Sequence, residues 1–205
     1  MTMRRAALAV LLSLAAAPVL AQDRPPIVPT RDVAVTYRFL GAGMPAGAPQ
    51  AMQVAWLASA GLMRTDMPGM GWMVADQRAG KAFMVMEQMR MVMDVPVGQA
   101  GGPQGLPPNA TFRREGNATV AGLPCTIWVY QDGQSQGRSC ITAEGVMLRA
   151  EGTHQGHSGG MEATRVEFAA QDPARFRRPQ GYQTMQVPQG MPGGMPPGMA
   201  RPPGR

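Results

Sequence analysis

Sulfur is where this sequence is unusual. Nineteen of its 205 residues are methionine, against two cysteines and two histidines. Ala, Gly, Pro and Arg are abundant and Lys81 is the single lysine, as in a GC-rich genome. The methionine codon is not GC-rich, so codon bias does not account for the count. A thioether is apolar, polarisable and carried on an unbranched side chain. It can fill an irregular core, present an adaptable apolar surface or coordinate a soft ion such as Cu(I). The densest run is AFMVMEQMRMVMD, residues 82–94. A turn at Glu87-Gln88 would pair Met86 with Met89, Met84 with Met91 and Ala82 with Met93. Met84, Met86, Met89, Met91 and Met93 then share one face of a hairpin, with Phe83, Val85, Arg90 and Val92 on the other. These five methionines are the candidate ligand-lining residues. Met67, Met70 and Met73 recur at intervals of three, and Met191, Met195 and Met199 at intervals of four. The last three are weaker candidates for a metal. Exposed methionines can also consume oxidants, a chemistry that sets no spacing.

The other chemically capable residues are few. His154 and His157, in GTHQGHSGG, are metal candidates with help from Met161, although two histidines in a Gly-rich loop are more simply exposed. Cys125 and Cys140 are expected to form a disulfide, as a cysteine pair does in an oxidising compartment. Asp132-Gly133 is a type I′ hairpin signal, and a two-residue turn there sets Cys125 opposite Cys140. The enclosed loop of about 15 residues makes the bridge worth roughly 3 kcal/mol. That spacing is far from the close CxxC pair of a redox thiol. No nucleophile elbow, phosphate loop, HExxH or EF-hand pattern is present, and the acids are scattered at turns or beside arginines. The expectation is a protein that is not an enzyme and needs no cofactor.

The ends of the chain set its compartment. Residues 1–21 have the layout of a secretory signal: Arg4 and Arg5, an apolar run over 6–17, then Val19-Leu20-Ala21 before cleavage. The run is short for a span of about 20 residues. No cysteine near the cleavage point offers a lipid anchor, and no later segment is apolar and long enough to cross a bilayer. The expected mature protein is secreted across the inner membrane, periplasmic and soluble. With Arg4 and Arg5 removed, 17 of the 19 basic residues remain against 13 acidic ones. They are spread along the chain rather than gathered on a stripe with stacking aromatics, which argues against nucleic acid as a partner.

Residues 22–30 form a Pro-rich lead-in, and residues 31–182 read as one domain of ordinary size. Residues 183–205 are too rich in Met, Pro and Gly to bury a core and are expected to be a disordered tail. Gly/Pro stretches at 41–50 and 98–109 read as surface loops. Within the domain the apolar period is two: Val33, Val35, Tyr37 and Phe39, then Val54 and Trp56, then Thr126, Trp128 and Tyr130. Turn residues punctuate short runs at 77–80, 132–133, 144–145 and 154–160. No stretch combines a helical stripe with good caps. The pattern predicts a mainly β fold with little helix, built as a curved antiparallel sheet.

Several motifs together resemble an exported domain-of-unknown-function family related to the LolA/LolB lipoprotein carriers. They are DVAVTYRF, GLMRTDMPG with Arg64 and Asp66, the ADxxxGK hairpin from Asp76 to Lys81, and the Met-rich pair from Met84 to Met93. The Cys-containing hairpin GLPCTIWVY…CITAEGVMLRAE and a closing FRRPQGY, Phe176 to Tyr182, complete the set. The resemblance covers most of residues 32–185 and implies a LolA-like half-barrel whose concave face accepts acyl chains. The leading expectation is a periplasmic binding or carrier protein for a hydrophobic molecule, a lipid or lipoprotein acyl chain. One alternative is a Met-rich Cu(I)-binding protein, and another is an envelope module that binds a protein partner along its sheet edge or tail.

Overall fold

A single sheet of twelve strands carries the structure, a computed structural model that describes residues 24–41, 50–96, 109–133, 135–154 and 156–186. The strands are β1 (Val33–Leu40), β2 (Ala51–Leu57), β3 (Leu62–Met67), β4 (Gly71–Asp76), β5 (Lys81–Met86) and β6 (Met91–Pro96). They continue as β7 (Thr111–Val120), β8 (Leu123–Asp132), β9 (Ser135–Ile141), β10 (Met147–His154), β11 (His157–Glu167) and β12 (Gln183–Gln186). Their order is β12-β6-β5-β4-β3-β2-β1-β11-β10-β9-β8-β7. Two antiparallel meanders, β1 to β6 and β7 to β11, are joined by the long-range β1–β11 pair. The sheet is long, open and strongly curved, as expected. Its outer strand β7 comes back within contact range of β11, four places away. The only helical pieces among the described residues are two 3₁₀ turns, Glu87–Met89 and Pro173–Phe176.

Period-two alternation explains why these segments are strands. On β1, Val33, Val35 and Tyr37 are buried while the residues between them are not. The registers carry this choice across the sheet: Val33 faces Trp56, Trp56 faces Met63, Met63 faces Ala75, Ala75 faces Ala82 and Ala82 faces Val95. These residues join Cys125, Cys140, Val146, Leu148 and Ala163 in one core cluster, so the first meander shares its core with the second. On the opposite face of β2 to β6, Ala55, Leu57, Trp72, Val74, Val85 and Val92 form a separate cluster around Phe176. Bulges in β11, β7 and β10 interrupt the second meander, where extra residues increase local twist and bend the sheet.

Turn chemistry sets the registers. In the Asp76–Lys81 hairpin the Asp76 carboxylate accepts from the backbone N–H groups of Arg78 (2.9 Å) and Ala79 (2.8 Å), and Gly80 takes φ +63°. The ADxxxGK motif is therefore a turn. Gly71 opens β4 at φ +127°, where a Cβ would lie 2.0 Å from the Val85 carbonyl oxygen.

Cys125 and Cys140 form the expected disulfide, with Cα atoms 5.4 Å apart, but not as directly opposed residues. The β8–β9 register pairs Asp132 with Ser135 and Ile127 with Cys140, so the turn falls one residue later than Asp132-Gly133. Asp132 flanks the turn rather than entering it, and its carboxylate accepts from the Ser135 N–H at 2.8 Å. The displacement is two places across the ladder, which keeps both cysteines on one face and makes the bridge diagonal.

The lead-in is more than a spacer. Pro25 and Pro29 are buried, Ile27 packs against Trp128, Ile141 and Met147, and the Thr30 N–H donates to Glu144 O. At the other end, β12 occupies the first four residues of the stretch read as a tail and pairs parallel to β6. The expected loops at 41–50 and 98–109 and the rest of the tail lie largely or wholly outside the described residues.

Two measurements test this account. Replacing Cys125 and Cys140 together by Ala should lower unfolding stability by about 3 kcal/mol, read from urea denaturation. The buried Tyr37 hydroxyl donates to Met147 O at 2.6 Å, and burial raises its pKa above the ordinary tyrosine range. A raised pKa contributes stability below the unfolded value, about 10, that is lost as pH climbs above it. Tyr37→Phe should therefore cost about 1 kcal/mol at neutral pH and flatten the alkaline loss of stability.

Candidate functional site

The hairpin of β5 and β6 brings the methionines to one face, though by a different turn from the one expected. Met86 faces Met91 and Met84 faces Met93. Glu-Gln is poor chemistry for a two-residue turn. The chain instead makes a 3₁₀ turn over Glu87–Met89 and closes it with Arg90 in the left-handed region, at φ 48°. The register again moves by two places, so parity survives: Met84, Met86, Met91 and Met93 share a face, with Phe83, Val85 and Val92 opposite. Met89 leaves the face and is exposed in the turn, as is Met70 in the β3–β4 turn.

The face is wider than the hairpin. One row crosses the sheet as Val35, Val54, Thr65, Met73, Met84, Met93 and Met185. Beside it, Tyr37 pairs with Met52, Met67 with Gly71, and Met86 with Met91. The third row, from Val33 through Trp56 and Met63 to Val95, is the core floor described above. Exposure rises away from that floor. Met63 is buried, Met52, Met67, Met73, Met84, Met86, Met91 and Met93 are half-buried, and Met185 is 41% exposed. Met52, Met63, Met67, Met73 and Met185 were missed as members of the face. Their signal was the alternation of Met52-x-Val54-x-Trp56 and Met63-x-Thr65-x-Met67, while Met185 sits in sequence that reads as low complexity. Buried Trp56 on the floor has an indole N–H with no hydrogen-bond partner among the described residues.

The opposite face of the same strands is closed by residues 173–182. Phe176 is buried against Ala55, Leu57, Trp72, Val74, Val85 and Val92, with Tyr182 partly buried beside it. Arg64 holds this segment. Its guanidinium donates to both oxygens of Asp66, lies 3.9 Å over the Trp72 ring and donates to Arg175 O at 2.5 Å. Arg175 also approaches Asp66 at 3.7 Å, and Arg178 pairs with Asp94 while lying over Phe83. The R-x-D and closing F-x-x-P-x-G-Y motifs are thus two halves of one clamp.

Other candidates do not converge. His154 and His157 face each other across the β10–β11 hairpin. Met161 lies four residues along the strand, packed in the core clusters. Among the described residues no three His, Cys, Asp or Glu side chains gather as a metal site. Met191, Met195 and Met199 lie outside the described residues. A hollow of about 310 Å³ is lined by Asp66, Trp72, Glu87 and Arg175. Both of its carboxylates are engaged, Asp66 by Arg64 and Glu87 by the Trp72 indole N–H at 3.0 Å. A larger open hollow of about 600 Å³ lies over β8 to β11. There the Tyr130 ring reclines across Gly137 and Gly152, where a Cβ on either would lie 2.6 Å from its hydroxyl oxygen. Burial first, and the charge of Asp132 second, raise the Tyr130 pKa.

Disrupting the clamp should free the closing segment. Asp66→Asn is expected to lower stability by about 2 kcal/mol, by leaving Arg64 partly buried without its ion pair. It should also speed tryptic cleavage after Arg175 and Arg177, read by mass spectrometry of timed digests.

No protein-family model and no curated protein sequence matches the chain. Solved structures match its fold. An uncharacterised conserved protein from Thermus thermophilus aligns with TM-score 0.57 and 14% identity over 77% of this chain and 91% of that one. MucB aligns with TM-score 0.52 and 13% identity, covering 77% of this chain and 60% of MucB. A lipoprotein-sorting domain of the outer membrane from Vibrio parahaemolyticus aligns at only 0.29, a score that carries no argument. None of these comparisons supports the resemblance to a domain-of-unknown-function family, and what the first two structures share with this chain is the fold.

Proposed function

We propose that this chain is an exported, non-enzymatic periplasmic binding or carrier protein whose methionine face receives an apolar ligand of the acyl class. The observation that supports this reading is the graded face itself. A fully buried floor of Val33, Trp56, Ala75 and Ala82 passes into half-buried methionines on β2 to β6. An acyl chain laid across the rows would remove apolar surface from water at about 25 cal/mol per Å². Methionine adapts to chains of differing shape because it is unbranched and flexible. The unpartnered indole N–H of Trp56 offers a donor for an ester or carboxyl oxygen at the floor. No helix among the described residues is long and apolar enough to cross a membrane. MucB, whose fold is similar, has been solved in a complex with periplasmic MucA, which gives a binding role a parallel.

Native mass spectrometry of protein purified gently from the periplasm should show a co-purified mass in the lipid range. The emptied protein should then bind a fluorescent fatty acid, and unlabelled acyl chains should displace it. Met84→Leu should leave the affinity nearly unchanged, whereas Met84→Gln should weaken it about tenfold. Protein that arrives bare and takes up no displaceable acyl probe would sink the reading.

A further inference from the structure

Methionine is segregated between the two faces of the same strands. On β2 to β6 one face carries Met52, Met63, Met67 and Met73, and the β5–β6 hairpin adds Met84, Met86, Met91 and Met93. The other face of those five strands carries none, and fills its core with Leu57, Trp72, Val74, Val85 and Val92. Both faces draw on one genome and one set of strands, so compositional drift predicts no such split. Methionine is not a favoured strand residue, whereas valine, isoleucine and phenylalanine are. Burial alone would be met by the residues already used opposite. The segregated property is the thioether.

We infer that Met73, Met84 and Met93, with Met185 beside them, form a thioether site for Cu(I). These four occupy facing positions on four adjacent strands, β4, β5, β6 and β12. Adjacent strands lie about 4.8 Å apart, and directly opposed Cβ atoms about 5 Å apart. Three rotatable bonds let neighbouring sulfurs converge on an ion between them. Met86 and Met91, paired one row away, provide further ligands. Thioether sulfur selects a soft monovalent ion over Zn²⁺ or Mg²⁺. Neutral ligands leave the bound ion its positive charge, and a half-exposed face lets water screen that charge where a sealed core would not. A thioether has no proton to lose, so binding needs no deprotonation, unlike a His or Cys site. Cu(I) uptake does not depend on the acyl reading. It predicts in addition that the ion and an acyl chain exclude each other from this face.

The test is an anaerobic titration of the folded exported chain with Cu(I) against a chromophoric Cu(I) chelator. Wild type should take up at least one ion, with X-ray absorption showing sulfur-only ligation and an affinity flat between about pH 5 and 7.5. The triple variant Met73→Leu, Met84→Leu, Met93→Leu should bind on the order of a hundredfold more weakly, with unfolding stability retained. Met70→Leu with Met89→Leu, and deletion of residues 187–205, should change nothing. Uptake undiminished in the triple variant, uptake lost with the deletion, nitrogen ligation or no uptake by wild type would each overturn the site. The acyl probe, measured on the same samples, shows separately whether the apolar-ligand reading survives.

Discussion

The constraint on which this molecule depends is the pleat. Successive residues of a strand go to opposite faces, and each hairpin register ties one strand's choice to the next. From Val33 on β1 to Val95 on β6 the parity never changes. Every strand-to-strand connection along the way preserves it. The six strands therefore act as one two-sided plate, with all the methionines of β2 to β6 on one side and none on the other. A shift of one residue in any of these connections would exchange the two sides beyond it.

The plate's two sides are finished by different means. One is sealed by the chain's own closing segment, with Phe176 as the plug and Arg64 as the fastening. Arg64 suits that place because a planar guanidinium can stack on Trp72, fork onto Asp66 and still donate to a backbone carbonyl. The other side has no such plug among the described residues. It descends into the shared core at Trp56 and rises to half-exposed sulfur at Met86 and Met91. The outer strand β7 is blunted differently. A bulge near Glu115 and the charges of Arg113, Arg114 and Glu115 discourage pairing with another chain along that edge.

How much of this was legible in the sequence follows from the same parity. The strands and the sharing of a face by Met84, Met86, Met91 and Met93 could be read from period-two alternation, and the disulfide from the single cysteine pair of a chain expected to be exported. Both hairpin registers were displaced by two places, and a displacement of two preserves the face. The turn at residues 87–90 was misread because its left-handed position is held by Arg90, not by the glycine that would have announced it. Met89 was lost from the face for the same reason. What alternation could not reveal was non-local. Nothing local marks the pairing of β1 with β11, or of Met185 with Met93 from far apart in the chain. The clamp was visible only as two unrelated motifs, because the contacts of Arg64 and Asp66 with Arg175 join residues more than a hundred positions apart.

The methionine face also bears on why the fold is built with one closed side. For the proposed carrier role the surface has to stay accessible without collapsing onto itself, and a curved sheet open on both sides would do neither reliably. Sealing one side with a covalently attached segment fixes the plate from behind, since ordering a tethered segment costs less than recruiting a separate one. The buried floor then holds the register whichever rotamers the side chains in front adopt. Methionine is suited to that division of labour: its backbone is held in the ladder while its thioether samples several rotamers. Val85 and Val92 behind the plate and Met84 and Met93 in front of it are therefore complementary choices at adjacent positions. The stiff β-branched residues hold the strands, and the flexible sulfur-bearing ones leave the front surface free to adapt.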